Sequence, residues 1–340
     1  MSNMSKKLKA AIIGNGGIAQ THNKAYAKLA AEGAPVEVVA YCDIRPERLE
    51  NLENCRTYTE IDKILSEESG TADYVDICLP TYLHSEVAVK AMKSGFNVIC
   101  EKPMALNYEQ AELMCKTAEK TGKTLMIAHC NRFMNDTIKI QEYIESGKFG
   151  KVRNADFWRE GGSMDPMGYQ NWFRKAELSG GAMLDLHIHD VDIIQWLFGM
   201  PEAVSAVALN IIPCSGYDSM SVNYIYDNGC YVHAGCDWTI KHDKFNTRAK
   251  RVNFEGGYIF SDRTAGRSTC IAVDINGTVT DLSENRDGYY EELKYFAKCL
   301  LNGESVTRCL PESSARAVRL IMAEMESADL KGEKVAIRQP

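Results

Sequence analysis

The sequence has no Cys-x-x-Cys pair, no apolar run long enough to span a bilayer, no internal repeat and no low-complexity segment. The missing pair matters because the chain carries 12 cysteines. They are scattered singly, at Cys42, Cys55, Cys78, Cys100, Cys115 and onward, often inside apolar runs. That spacing excludes a zinc ribbon or a redox dithiol and reads as reduced core thiols of a cytoplasmic protein. Near the amino end, Lys6, Lys7 and Lys9 precede only a short apolar run over residues 10–13, too short for a signal-peptide core. A membrane partner is therefore not expected. Positive charge is also in deficit, with 39 Lys and Arg against 46 Asp and Glu and a formal net charge of -7. Such a balance argues against nucleic acid or an anionic membrane surface and points to a small molecule.

What is present is a chain of 340 residues, 45% hydrophobic, enough for two domains with cores of their own. The first part alternates apolar strand-like runs (residues 8–13, 36–43, 74–79, 97–101 and 124–129, with a weaker one at 56–58) with amphipathic segments at 18–32, 60–68, 85–94 and 108–121. That alternation predicts an α/β, doubly wound parallel sheet of Rossmann type over residues 1–129. From 130 to 340 the pattern changes. Helices are expected at 136–146, 183–198, 288–301 and 311–330, and strands at 204–212, 219–226, 230–240, 251–254, 269–275 and 279–282. Asp227-Asn228-Gly229 and Asn276-Gly277 are hairpin signals, so this second, α+β domain should hold a large and mostly antiparallel open sheet.

Three motifs carry chemistry. Gly14-Asn15-Gly16-Gly17-Ile18-Ala19 follows the first strand and opens a helix. Gly14 permits the tight turn, Gly16 lets backbone approach a pyrophosphate, Ala19 allows close packing, and the helix-start amides favour the anion. Asp43 closes the second strand, where a carboxylate can accept from both ribose hydroxyls. It would repel a 2'-phosphate, although Arg45 could attract one, so NAD is expected, with NADP as the alternative. The run Cys78-Leu79-Pro80-Thr81-Tyr82-Leu83-His84 leaves the next strand at the same edge and should line the cofactor.

The second motif is Lys102 in Glu101-Lys102-Pro103, a charged amine at the mouth of an apolar strand that a proline ends. A buried strand has no structural use for it there, and ligands of open α/β sheets sit outside the carboxyl ends of the strands. The third motif runs from Gly180-Gly181 to Asp185 and His189. At about 100° per residue, Asp185, His189, Asp192 and Trp196 share one helix face. His189 suits proton transfer near neutrality, and Asp185 one turn earlier can orient or charge-stabilise it. An amine, an imidazole and a carboxylate beside a nicotinamide ring are what alcohol oxidation requires. His187-x-His189 with Asp190 and Asp192 imitates a metal site, but residues two apart on a helix point in nearly opposite directions, so no metal is expected. His187 reads as a packed or cofactor-side histidine.

Together these motifs resemble the Gfo/Idh/MocA oxidoreductases, named for glucose-fructose oxidoreductase and inositol dehydrogenase, and the likeness covers essentially the whole chain. The resemblance implies that Lys102, Asp185 and His189 form a catalytic triad, with His189 as general base and Lys102 binding the reacting hydroxyl. It implies a cis peptide before Pro103, and Gly14, Gly16, Ile18, Asp43, Leu79, Thr81, His84, Glu101 and Asn131 as cofactor neighbours. Gly17, Pro80 and Arg45 flank that set, and Arg159, Trp172 and Asp192 are candidate substrate contacts. Two departures stand out: Gly180-Gly181-Ala182 replaces a glycine triplet, and a polar His187 occupies a position where less polar residues are common. The expected activity is NAD-dependent oxidation of a secondary alcohol in a sugar, glycoside or cyclitol by a homodimer or homotetramer. The rivals are a cofactor-retaining enzyme that cleaves or epimerises a glycoside through transient oxidation, and a non-catalytic sensor of dinucleotide and sugar.

Overall fold

The structure is a computed structural model and describes residues 7–52, 54–161, 168–240, 246–264 and 266–337. The chain divides into two compact units: Met1–Ala105 with Glu109–Cys130 and Asp287–Ala315, and Leu106–Tyr108 with Asn131–Arg286 and Arg316–Pro340.

The first unit is built on strands β1 (Leu8–Ile13), β2 (Val36–Cys42), β3 (Arg56–Tyr58), β4 (Tyr74–Ile77), β5 (Asn97–Glu101) and β6 (Leu125–Ala128). They pair in parallel in the order β3-β2-β1-β4-β5-β6. The crossovers run through α1 (Gly17–Ala31), α2 (Ile61–Glu67), α3 (Thr81–Lys93) and α4 (Tyr108–Thr121). This is the doubly wound sheet the alternation predicts. Strand order reverses between β1 and β4, which opens a crevice at their carboxyl ends. β4 is buried along its whole length, which is why most of it reads as an apolar run. Its exception is Asp76, a carboxylate with no solvent exposure.

The second unit contains α5 (Asn135–Ser146), β7 (Val152–Gly161), α6 (Ala176–Ser179), α7 (Ile188–Phe198), and strands β8 (Ala203–Leu209), β9 (Ser219–Ile225), β10 (Tyr231–Asp237), β11 (Asn246–Phe254), β12 (Gly257–Thr264), β13 (Arg267–Asp274) and β14 (Val279–Asp281). In the sequence α8 (Gly288–Asn302), which belongs to the first unit, and α9 (Pro311–Asp329), most of which belongs to the second, come next, and a short β15 (Val335–Ala336) pairs with β8. The sheet has nine strands in the order β14-β13-β12-β11-β7-β10-β9-β8-β15. Among the described residues only the β7–β10 ladder of this sheet is parallel.

The sequence pattern misses β7 and β12, and β11 begins at Asn246 rather than 251. β7 is the hardest to see because its inward face is Ala155, Phe157 and Arg159, so the apolar alternation stops at an arginine. The segment expected to be one helix from 183 is a π-helical turn at Met183–His187 running into α7. Most of the Gly/Pro-rich stretch at 161–168 lies outside the described residues.

Candidate active site

In the first unit the β1–α1 turn has the character of an anion cradle. Gly14 adopts φ +93°, its amide donates to the Cys42 carbonyl at 2.7 Å, and a Cβ there would lie 2.4 Å from the Cys78 carbonyl oxygen. Only glycine fits so close to that backbone. At Gly16 and Gly17 the situation is reversed, since an added Cβ would meet nothing within 4 Å. α1 has no side-chain cap at Gly16 and no acid in its first turn, so its leading amides face open space. Unsatisfied amides, a helix dipole and room above them are what a pyrophosphate fits. Ile18, half-buried, follows.

Asp43 is buried at the end of β2 and already shapes this turn. One carboxylate oxygen accepts the Asn15 amide at 2.9 Å, and the other accepts the Arg45 amide at 2.9 Å and Arg45 Nε at 3.4 Å. Arg45 thus leans on Asp43, which weakens the argument that it serves a 2'-phosphate. Leu79 and Pro80 leave β4 half-buried and Thr81 opens α3 buried. His84, expected beside the cofactor, braces the two loops there. It is 1% exposed, and its ring nitrogens meet the Pro103 and Leu79 carbonyls at 2.7 and 2.8 Å, tying the two loops together. Burial lowers its pKa against the upward pull of those two carbonyls.

β5 ends in Glu101, buried, and Lys102, half-buried. The Lys102 amide donates to Glu101 Oε2 at 3.0 Å, and the Lys102–Pro103 peptide is cis, as the resemblance implied. The inner Glu101 oxygen meets His22 Nε2 at 3.0 Å.

In the second unit, Gly181 at φ +66° lies so close to the Ser215 carbonyl that a Cβ would sit 2.3 Å from its oxygen. Asp185 in the π turn and His189 at the start of α7 are half-buried, and Trp196 shares that intermediate exposure. The neighbours that complete the apparent metal cluster do not join them. Asp190 is held by Arg159 through bonds of 2.6 and 2.7 Å, and Asp192 by Arg132 through bonds of 2.7 and 2.6 Å, all four side chains buried. Arg159 and Asp192, expected as substrate contacts, each give their charged atoms to a buried partner. They are interior ion pairs that fix β7 and the 130–133 segment to α7. Asp190 and burial oppose each other on Arg159, and the carboxylate prevails, raising its pKa. His187 is the packed histidine, with Nε2 3.2 Å from Glu324 Oε2 and 3.3 Å from the Tyr224 hydroxyl.

Trp172, half-buried, stacks edgewise on Phe173 at 4.9 Å, and Phe173 lies 6.2 Å from Trp238. Trp238 Nε1 donates to Asp218 at 2.6 Å, which anchors this aromatic group. Just before it Gln170 and Asn171 both hold φ 55°, a strained stretch for residues with side chains. The Asn131 Nδ2 donor is buried and has no hydrogen-bond partner among the described residues, an orphan that suits a ligand acceptor.

Sequence reasoning missed Arg132, Phe173, Trp238, His22 and Glu292, and it placed Asp190 only in the rejected metal cluster. His22 alone left a trace, since it falls on the buried stripe Ala19, His22, Ala25, Tyr26 and Leu29 of α1, where a histidine is out of place.

Residues 8–129 match the model described as "Oxidoreductase family, NAD-binding Rossmann fold", and residues 137–259 match the "GFO/IDH/MocA C-terminal domain". The chain is 31% identical over 211 residues to D-glucoside 3-dehydrogenase of Escherichia coli, covering 60% of this chain and 58% of that one. It is 34% identical over 159 residues to 2,7-anhydro-N-acetylneuraminate hydratase of Mediterraneibacter gnavus, covering 46% and 41% respectively. These matches thus span about half of each relative. Among solved structures, an oxidoreductase from Agrobacterium radiobacter in complex with NAD+, L-tartaric acid and magnesium superposes with a TM-score of 0.85 at 21% identity, over 97% of this chain and 98% of that one. With both of its domains matched and the glycine turn, the Glu101-Lys102-Pro103 strand exit and the Asp185/His189 helix in place, the chain belongs to the Gfo/Idh/MocA oxidoreductases, and its first unit is their NAD-binding Rossmann fold.

Proposed function

We propose that the protein is an NAD-dependent dehydrogenase that oxidises a secondary alcohol of a sugar, glycoside or cyclitol. The observation that carries this reading is Lys102. Its amine stands at the exit of β5, in the sheet whose β1–α1 turn leaves open amides for a pyrophosphate. NAD held at that turn would supply the hydride acceptor for the carbinol carbon. Lys102 binds the reacting hydroxyl and lowers the cost of its developing negative charge. His189 takes the hydroxyl proton, and Asp185 orients its ring and balances the charge it gains. Trp172 offers a flat apolar wall to a sugar ring. Gly14, Gly16 and Gly17 admit the pyrophosphate, Asp43 accepts from the ribose, Asn131 donates its amide, and His84 and Glu101 hold the loops in place.

Incubation with NAD and a panel of glycosides, aldoses and inositols, followed by absorbance of reduced nicotinamide, tests the activity. Lys102→Met should lower kcat by about 10²- to 10⁴-fold while NAD affinity changes little. Full turnover by that variant would remove the lysine from the mechanism.

A second reading is favoured by the likeness to a protein named a hydratase, since hydration is not a net redox reaction. In that reading the same groups oxidise the sugar transiently and the cofactor is restored each cycle. Product formed without accumulation of reduced cofactor would select it over the first.

A homo-oligomer is also proposed, dimeric or tetrameric. Trp158 (39% exposed), Tyr231 (55%), Val207 (55%) and Leu209 (61%) lie on one face of the nine-stranded sheet, because Trp158 and Val207 align with Gly235 and Ser221 across the ladders. An apolar sheet face of this kind is commonly covered by a second copy. Light scattering after size exclusion measures it, and a monomer at micromolar concentration would refute it. Among the described residues no helix is long and apolar enough to cross a membrane, and a cytoplasmic location is proposed on the reduced cysteines.

A further inference from the structure

Beneath the β1–α1 turn lies a buried polar cluster that the proposed reaction does not use. His22 of α1 has no exposure, and its two ring nitrogens each face a carboxylate: Nδ1 is 2.8 Å from Asp76 Oδ2 and Nε2 is 3.0 Å from Glu101 Oε1. A neutral imidazole has one N–H, so it can donate to only one of them, and its bare nitrogen would confront the other carboxylate's lone pairs. With both carboxylates ionised, two such contacts require a ring that donates from both nitrogens. Each carboxylate accepts a further bond, Asp76 at the same oxygen that faces His22 and Glu101 at its other one. Asp76 accepts the Tyr26 hydroxyl at 2.9 Å, and Glu101 accepts the Lys102 amide at 3.0 Å.

We propose that His22 is a positioning residue that stands as a buried imidazolium, pinning the Glu101 carboxylate whose outer oxygen fixes the start of the Lys102 turn. This rests on the catalytic reading of Lys102. The chain of contacts is Asp76–His22–Glu101–Lys102, all within the first unit. The remaining groups that face His22 are Cys78, whose sulfur is 3.5 Å from Nδ1, Glu292 of α8, and the ring of Tyr289, also on α8, with Tyr74 bonded to Tyr26 behind them. Burial lowers the His22 pKa, but Asp76 and then Cys78 pull it up further, to a net position well above the ordinary histidine range. Glu292 has no exposure, and neither of its oxygens has a hydrogen-bond partner among the described residues. Burial and then the Glu101 charge push its pKa well up, which favours its neutral form and leaves His22 as the group that faces Asp76 and Glu101 with positive charge. His22 could also be imagined holding a cation with Glu101 and Glu292 or with Asp76 and Cys78, but its contacts of 3.0 Å to Glu101 and 2.8 Å to Asp76 are shorter than the roughly 3.3 Å that tetrahedral bonds of ~2.0 Å impose between ligand atoms.

The test reads the ring directly and then its consequence. Nitrogen NMR of the 15N-histidine-labelled native protein, assigned against His22→Gln, should show both ring nitrogens of His22 protonated at pH 7 and above. A neutral ring at pH 7, or one equivalent of transition metal by elemental analysis, overturns the proposal whether or not any variant folds. In H22Q the side chain can donate to Glu101 only by turning its carbonyl on Asp76. Its kcat should fall by about 10²-fold with NAD affinity within a few fold of native. Adding Asp76→Asn gives that carbonyl a donor to meet and should recover a large part of kcat. A purely structural role predicts a lower melting temperature for H22Q with native kcat below it, and that result would refute positioning. Lys102→Met is run alongside. If it keeps turnover, the lysine's role fails, while the ring spectrum still decides the charge on His22, so the two failures are separable.

Discussion

The Arg132 guanidinium grips the Asp192 carboxylate through Nε and Nη2 at 2.7 and 2.6 Å, with both side chains 1% exposed. The guanidinium also lies 5.0 Å from the Trp196 ring. Two charges taken so far from water are held by their geometry, and removing one strands the other. Asp192→Asn should therefore destabilise the protein by about 3–5 kcal/mol, measured by urea denaturation. Replacing both, as Arg132→Met with Asp192→Leu, should recover most of that loss. A D192N protein of native stability with only a raised KM would return Asp192 to the substrate pocket.

The glycines of the β1–α1 turn separate fold from binding. Alanine at Gly14 meets the Cys78 carbonyl at 2.4 Å and a φ of +93°, which together should cost about 3 kcal/mol. Alanine at Gly16 has φ -82° and no neighbour within 4 Å, so its melting temperature should stay native. What G16A should lose is NAD affinity, because the methyl occupies the space above the helix amides. Calorimetric titration beside thermal melts distinguishes the two. Unchanged affinity in G16A would move the pyrophosphate elsewhere.

The first unit was largely legible because local rules and the global fold agree there. Buried parallel strands are apolar along their length, and Gly14 sits where only glycine is tolerated. The second unit was less so. β7 escaped because Arg159 occupies an inward position whose carboxylate partner, Asp190, comes 31 residues later. The helix expected from 183 was right in extent, but its π turn has no compositional mark, and burial of Asp192 depends on Arg132 rather than on helical phase. The partners of His22 are hidden for the same reason: they lie 54 and 79 residues away, and no periodicity links them to it.

Asp43 offers a prediction on cofactor choice. Its carboxylate holds the Arg45 amide and guanidinium while remaining at the end of β2, where a ribose hydroxyl would meet it. Asp43→Ala removes an acceptor and releases the arginine. The KM for NAD should rise about tenfold, equivalent to ~1.4 kcal/mol, while that for NADP falls. If NAD binding weakens and NADP gains nothing, the Asp43–Arg45 pair is not what discriminates between them.

Glu292 sets a pH dependence whose sign follows from proton counting. Its folded pKa lies well above 4.5, first through burial and then through Glu101, so between 4.5 and that raised value the native state holds a proton the unfolded chain has lost. Stability then declines as pH rises through this window. His22 adds the same sign from 6.5 upward, because its folded pKa is also raised. Glu68 and Asp136 act oppositely, since their folded pKa values are lowered below 4.5 and 3.8, and what they contribute is lost only as the solution becomes more acid than those values. Glu292→Gln mimics the neutral acid in shape and removes its proton from the balance. Urea midpoints measured from pH 5 to 9 should fall less steeply for E292Q than for the native protein, with the curves closest at the acid end. Parallel curves across the range would mean that Glu292 is ionised in the fold, and the charge assignment of the whole cluster would have to be redrawn around a second buried anion.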